Sequence, residues 1–187
     1  PDAPALLLAA TELRSGALRV FCNRELNDQA ADTIGLDHLM ASSSIPMVYP
    51  WTTIDDYFYW DGAVIANTPL EPVISLAGES DLDILVVMMT PWWESGESAP
   101  AKSETEPKSF GDAITWMLDW MLLASFRENL KMIRAFNEMA VRERQDSQPP
   151  YRYRLVTPII VSPLEFLRAE RIIDYDGDVS ATLIEEG

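Results

Sequence analysis

From Ser109 to about Arg144, apolar residues recur at threes and fours, whereas the chain before that stretch is written in short runs of other periods. The spacing predicts one long helix, with Ile114, Met117, Met121, Leu122, Leu130, Ile133 and Phe136 on a single buried stripe. Ser109 with Asp112 three residues on is an acidic relative of the capping box and marks its start. The helix is expected to stop before Gln148-Pro149-Pro150, since proline disfavours helix in the residue that precedes it.

Upstream, Pro4 to Leu13 reads as a buried strand that ends at the turn pair Ser15-Gly16, and Ala17 to Asn23 reads as its antiparallel partner. Leu36 to Ser43 has helical spacing and stops before Ile45-Pro46. The aromatic stretch Tyr49 to Trp60 suggests short strands and runs into Asp61-Gly62, a pair that favours a tight turn. A short helix is expected over Pro69 to Leu76, with Thr68 as N-cap and Pro69 in the first helical position. Asp83 to Thr90 is a continuous apolar run, the pattern of a strand covered on both faces. Residues 92–108 hold a Ser/Glu/Pro/Ala tract without periodicity, read as a mobile, solvated, acidic insertion. Tyr151 to Val161 reads as a further strand, with Pro158 arguing for an edge position or an irregular end.

Composition narrows the function classes. Thirty acidic residues against 14 basic ones give a formal charge of −16, which argues against a nucleic-acid partner and against electrostatic docking on an anionic bilayer. The single cysteine, Cys22, excludes an internal disulfide and reads as a buried strand thiol. One histidine, His38, excludes a multi-histidine metal site and reads as a helix-surface or satisfied core residue. No run reaches the roughly 18 apolar residues of a membrane span. With no targeting signal visible, the expected location is cytoplasmic or peripheral to a membrane.

Nucleotide-binding glycine motifs, cysteine pairs and HExxH are absent, and so is the nucleophile elbow G-x-S-x-G. The strings beginning at Gly78 and Gly96 come nearest to that elbow, and both lack its second glycine. One ordered set stands out: Ala41 to Pro46 (ASSSIP), then the hairpin ending YFYWDGA at Asp61-Gly62-Ala63, then Asn67-Thr68-Pro69-Leu70. With the upstream LLLAATEL and FCN, this set resembles the patatin-like phospholipase family from about Pro4 to Met89, and more loosely in the tail IIDYDGDVSATLIEEG.

The resemblance implies an α/β layered sandwich, a central sheet flanked by helices, with which the strand and helix pattern is consistent. It implies lipid ester hydrolysis through a Ser–Asp dyad, with an oxyanion hole from a glycine-rich loop and no metal or organic cofactor. Carried onto this chain, Asp61 is the base, and Gly62 and Ala63 complete its motif. The serine and the oxyanion loop are expected upstream of Pro1, so the chain reads as the C-terminal part of a longer domain, inactive alone. Its expected partners are a lipid or acyl-ester substrate and the N-terminal half of the same domain. A start at a strand and a finish inside a helix fit that expectation.

Two other readings of the same residues stay open. Asp61 is also a fitting turn residue in a non-catalytic α/β module that binds a partner. A self-contained hydrolase would use Ser43 or Ser80 with His38, although Ser42, Ser43 and Ser44 fit better as helix-ending residues. Met88, Met89, Met117, Met121, Met132 and Met139, with Trp116 and Trp120, are expected to pack the core rather than line an acyl groove. The aromatic residues Trp51, Tyr57, Phe58, Tyr59 and Trp60 suit either a substrate mouth or cross-strand pairing.

Overall fold

Strands form over the short apolar runs of the sequence. The hairpin β1 (Leu7–Glu12) and β2 (Leu18–Cys22) pairs antiparallel with Leu7 opposite Cys22 and Thr11 opposite Leu18. The computed structural model describes residues 4–78, 80–93 and 106–163. After α1 (Leu36–Ala41), a second hairpin follows, β3 (Thr52–Ile54) and β4 (Tyr57–Asp61). β4 also pairs antiparallel with β1, giving a sheet in the order β2-β1-β4-β3. The expected α/β class is the one the chain adopts, with α2 (Ala63–Ala66), α3 (Leu70–Leu76), β5 (Leu82–Val87), α4 (Phe110–Asp146) and β6 (Val156–Val161) completing it.

The chain divides into two compact units, Pro1–Leu82 with Met121–Leu155, and Asp83–Trp120 with Val156–Gly187. In the first, one face of the four-stranded sheet is closed by Ala10, Phe21, Ala41 and Tyr59, with Leu8, Ile34 and Ile54 packed against them. Phe21 meets the Tyr59 ring edge-on at 5.4 Å and the His38 ring at 4.7 Å. Tyr59 is therefore a core residue, whereas Trp51 sits at the rim, its ring 6.1 Å from Phe58.

The hairpin turn lies at Asp55-Asp56, both at positive φ as in the mirror-image turns that match strand twist, while Asp61-Gly62 joins a strand to a helix. One local expectation shifts, at the start of α3. Pro69, in extended conformation, is itself the N-cap of α3, so Thr68 is not. Proline's fixed φ serves either position, and the sequence alone does not choose between them.

In the second unit β5 and β6 form a two-stranded sheet. Leu82 N–H donates to Leu155 O and Met88 N–H to Val161 O, both at 2.9 Å. The constant offset makes the pair parallel, and such a pair needs the crossover that α4 provides. Ile84, Val86 and Met88 are buried, but Leu85, Val87 and Met89 are exposed, with Ile159 and Val161 exposed on β6. The expectation that both faces of this run are covered is thus corrected. An unbroken apolar run reports that a strand suits burial on either face and cannot report whether a second layer is present. Pro158 sits on β6, which in a two-stranded sheet is an edge strand, as expected.

The start of α4 is as expected: Ser109 N–H donates to the Asp112 carboxylate at 2.8 Å and Asp112 N–H to Ser109 Oγ at 3.1 Å, a reciprocal box. Its buried stripe is Leu123, Phe126, Leu130 and Ile133, spaced at threes and fours, with Ala140 two turns further on. Met117, Met121 and Phe136 are exposed instead, as are Met89, Met132, Met139 and Trp120, so the core reading of these residues is corrected except at Met88. A helix this rich in apolar residues carries more than one candidate stripe, and periodicity does not select among them. The acidic tract between 94 and 105 and the tail from 164 lie outside the described residues.

A connection not visible in the sequence holds the end of α4. The Asp81 carboxylate takes two hydrogen bonds from the Arg144 guanidinium, at 2.5 and 2.9 Å, and a third from Leu155 N–H at 2.9 Å. Arg144 first, and then the Leu155 amide, holds the Asp81 carboxyl below the usual carboxylate range. A lowered folded value means stability that is present above the ordinary carboxylate pKa and lost as pH falls through the folded one. Asp81→Asn is expected to lower the melting temperature modestly at pH 7 and to leave it unchanged under acid conditions that protonate both states. Equal loss at both pH values would show that the charge is not what matters.

Candidate active site

Asp61 is the last residue of β4, held on its backbone from two sides. Its N–H donates to Ser44 O at 3.0 Å, and its carbonyl accepts from Thr11 Oγ1 at 3.0 Å. It stands opposite Ala10 on β1. The chain then turns at once into α2, and the Asp61 carboxylate accepts Ala63 N–H at Oδ1, 2.9 Å away. This Asx turn fixes the carboxylate's direction. Among the described residues Oδ2 accepts no hydrogen bond, so that oxygen is the one free to take a proton.

Burial pushes the Asp61 carboxyl above the usual range, and the Ala63 amide pulls it back only in part. Among the described residues no neighbouring charge shifts it. Desolvation disfavours the charged form, so the carboxylate is a better base than one in water.

Gly62 is buried and in ordinary helical conformation, φ −60° and ψ −23°. Glycine is demanded here by closeness alone. A Cβ at this position would lie 2.7 Å from both the carbonyl carbon and the oxygen of Ala9 and 2.8 Å from its Cβ. The turn after Asp61 therefore presses directly on β1. Ala63 contributes its N–H and opens α2.

The segment before β3 is tied to the same place. Ser44 is buried, its Oγ donates to Met40 O at 2.7 Å, and it lies 2.8 Å from Thr52 Oγ1. Ser43 Oγ donates to Leu39 O at 2.9 Å. These serines thus end α1 by bonding its carbonyls, as expected. The His38 ring accepts Gly35 N–H through Nδ1 at 3.1 Å, a helix-start contact. Among the described residues no hydrogen bond joins His38 or Ser43 to Asp61.

Sequence reasoning named Asp61, Gly62 and Ala63 but assigned no role to Thr11 or Ala9, and to Ser44 only that of ending a helix. Their signal was present in the runs LLLAATEL and ASSSIP, yet only strand pairing shows that both runs converge on one carboxylate. Among the described residues no group of three or more His, Cys, Asp or Glu could hold a metal ion.

This same stretch, residues 8–74, matches the family model of the patatin-like phospholipases. Over that stretch the chain is similar to that family. No match was found among curated proteins. The patatin-like stretch begins within β1 and reaches into α3, so it contains every residue that positions Asp61.

Proposed function

We propose that this chain supplies the general base of a lipid acyl hydrolase, with Asp61 as one half of a Ser–Asp dyad whose serine lies upstream of Pro1. The observation that carries the reading is the Asp61 carboxylate: half-buried, aimed by its Asx turn, raised in basicity by desolvation, and with one oxygen unengaged. In the reaction that oxygen accepts the serine proton while the hydroxyl oxygen attacks the ester carbonyl carbon. Collapse of the tetrahedral intermediate expels the alcohol, which takes the proton back, and leaves an acyl-serine. Water, deprotonated by the same carboxylate, then releases the fatty acid and restores the serine. Backbone N–H groups of the upstream loop stabilise the oxyanion in both steps.

The two-stranded parallel sheet supports the idea of a partial domain. Parallel strands are almost always covered on both faces, and here Leu85, Val87 and Met89 on β5 are exposed. A second reading has its own support: Asp61 is bonded through its N–H, its carbonyl and its carboxylate, as a purely structural turn residue would be. In that case the chain is a non-catalytic interaction module.

Fluorophosphonate labelling of the full-length gene product and of the 187-residue chain, read by intact mass, separates these. The dyad reading expects one adduct on the full-length protein and none on the chain. A full-length protein that never labels leaves the interaction module; a chain that labels alone has an internal nucleophile and overturns the upstream serine.

A further inference from the structure

The loop joining α1 to β3 carries a feature that the dyad does not use. From Ser42 to Ile54 there is no charged residue, in a chain of formal charge −16. Within it the segment Ile45–Trp51 leaves and returns to one point, since the Ser44 and Thr52 hydroxyls are 2.8 Å apart. Excursions with closed ends are compact and often functional. This one is internally bonded: Val48 N–H and Tyr49 N–H both donate to Ile45 O, at 3.2 and 2.9 Å. Met47 is held at φ +69°, a conformation that L residues avoid and that recurs at ligand-contacting sites.

What it displays is apolar. Met47 is 79% exposed and Trp51 55%, and Ile45 and Val48 are exposed beside them. The root of the excursion is Ser44, whose carbonyl accepts the Asp61 N–H.

We infer that Ile45–Trp51 seats this domain on a zwitterionic lipid surface, with Met47 and Trp51 entering the headgroup layer next to Asp61. The inference rests on the hydrolase reading, which requires an insoluble substrate to reach the carboxylate. Charge selects the occupant. A net charge of −16 repels both an anionic bilayer and a second copy of the chain. An uncharged loop offers a basic protein nothing to pair with, whereas indole and apolar side chains partition well into the neutral bilayer interface.

The test is flotation of the chain with phosphatidylcholine vesicles, comparing the wild type with Met47→Glu, with Met47→Glu/Trp51→Glu, and with Val87→Glu on β5 (69% exposed) as a control. Circular dichroism checks folding, and the single variant serves if the double one unfolds. The expected result is binding to phosphatidylcholine that falls about ten-fold or more in the loop variants, given the apolar area withdrawn from the bilayer. Val87→Glu is expected to bind normally, and added phosphatidylserine is expected to weaken binding at low salt. Absent binding, or equal loss in Val87→Glu, overturns the proposal. So does concentration-dependent self-association abolished by Met47→Glu, which would make the loop a protein contact. Fluorophosphonate labelling of the full-length protein is independent of these outcomes. A labelled protein without loop-dependent binding removes the docking surface alone, and loop-dependent binding without labelling removes the hydrolase reading.

Discussion

Asp61→Asn in the full-length protein is expected to slow ester hydrolysis and fluorophosphonate labelling by about 10²–10⁴-fold, the range for removing a general base. The amide oxygen still accepts Ala63 N–H, so the turn survives and the loss reflects proton transfer rather than geometry. The same substitution is expected to stabilise the fold at neutral pH. Burial raises the folded pKa of Asp61, so folding favours the protonated acid. The contribution of Asp61 to stability is therefore most favourable below the ordinary carboxylate pKa and is lost as pH rises from there through the folded value. Asparagine carries no such penalty. The melting temperature of the variant should lie above that of the wild type at pH 7, with the gap closing on acidification. Undiminished labelling would remove Asp61 from the chemistry. A variant less stable at every pH would mean that the carboxylate is retained for the turn.

Gly62→Ala is expected to damage both stability and site. The new methyl would sit 2.7 Å from the Ala9 carbonyl carbon and oxygen, well inside van der Waals contact. Relief requires β1 to part from the turn that carries Asp61. Overpacking of this kind costs about 1–3 kcal/mol or more. For a protein of this size that is a fall of roughly 2–12 °C in melting temperature, read by thermal unfolding. A displacement of about 1 Å at the carboxylate would cost about 10²-fold in rate besides. Ala9→Gly should not rescue the variant, because two of the three close atoms are backbone. Gly111→Ala makes an informative contrast. It sits in the first turn of α4, where a Cβ would find Ser109 Oγ at an ordinary 3.6 Å. There the same methyl is expected to stabilise by roughly 0.5–1 kcal/mol through helix propensity. Gly62→Ala with unchanged stability would show that β1 yields freely at Ala9.

The local elements were largely legible because their causes are local. A short apolar run ended by Ser15-Gly16 marked β1, alternation marked β2, and Ser109 with Asp112 marked the start of α4 to the residue. The order ASSSIP, Asp61-Gly62-Ala63, Asn67-Thr68-Pro69 pointed to the patatin-like stretch and to Asp61, since motif chemistry is written in residue identity. Choices of phase and partner were not legible. The helical period admitted several stripes on α4: Leu130 and Ile133 are buried as expected, but tertiary packing chose Leu123 and Phe126 over Met117 and Met121. The apolar run of β5 fitted two covered faces, and the fold covers one. The bond of Asp81 to Arg144 spans 63 positions and leaves no local trace. The demand for glycine at 62 likewise comes from Ala9, more than fifty residues earlier, through the pairing of β1 with β4. By itself the sequence determined where elements begin and which motif resembles a known family, because propensities, caps and motifs act over a few residues. Only the tertiary structure decided which faces are buried and how basic Asp61 becomes, because desolvation and contact depend on what distant segments bring alongside.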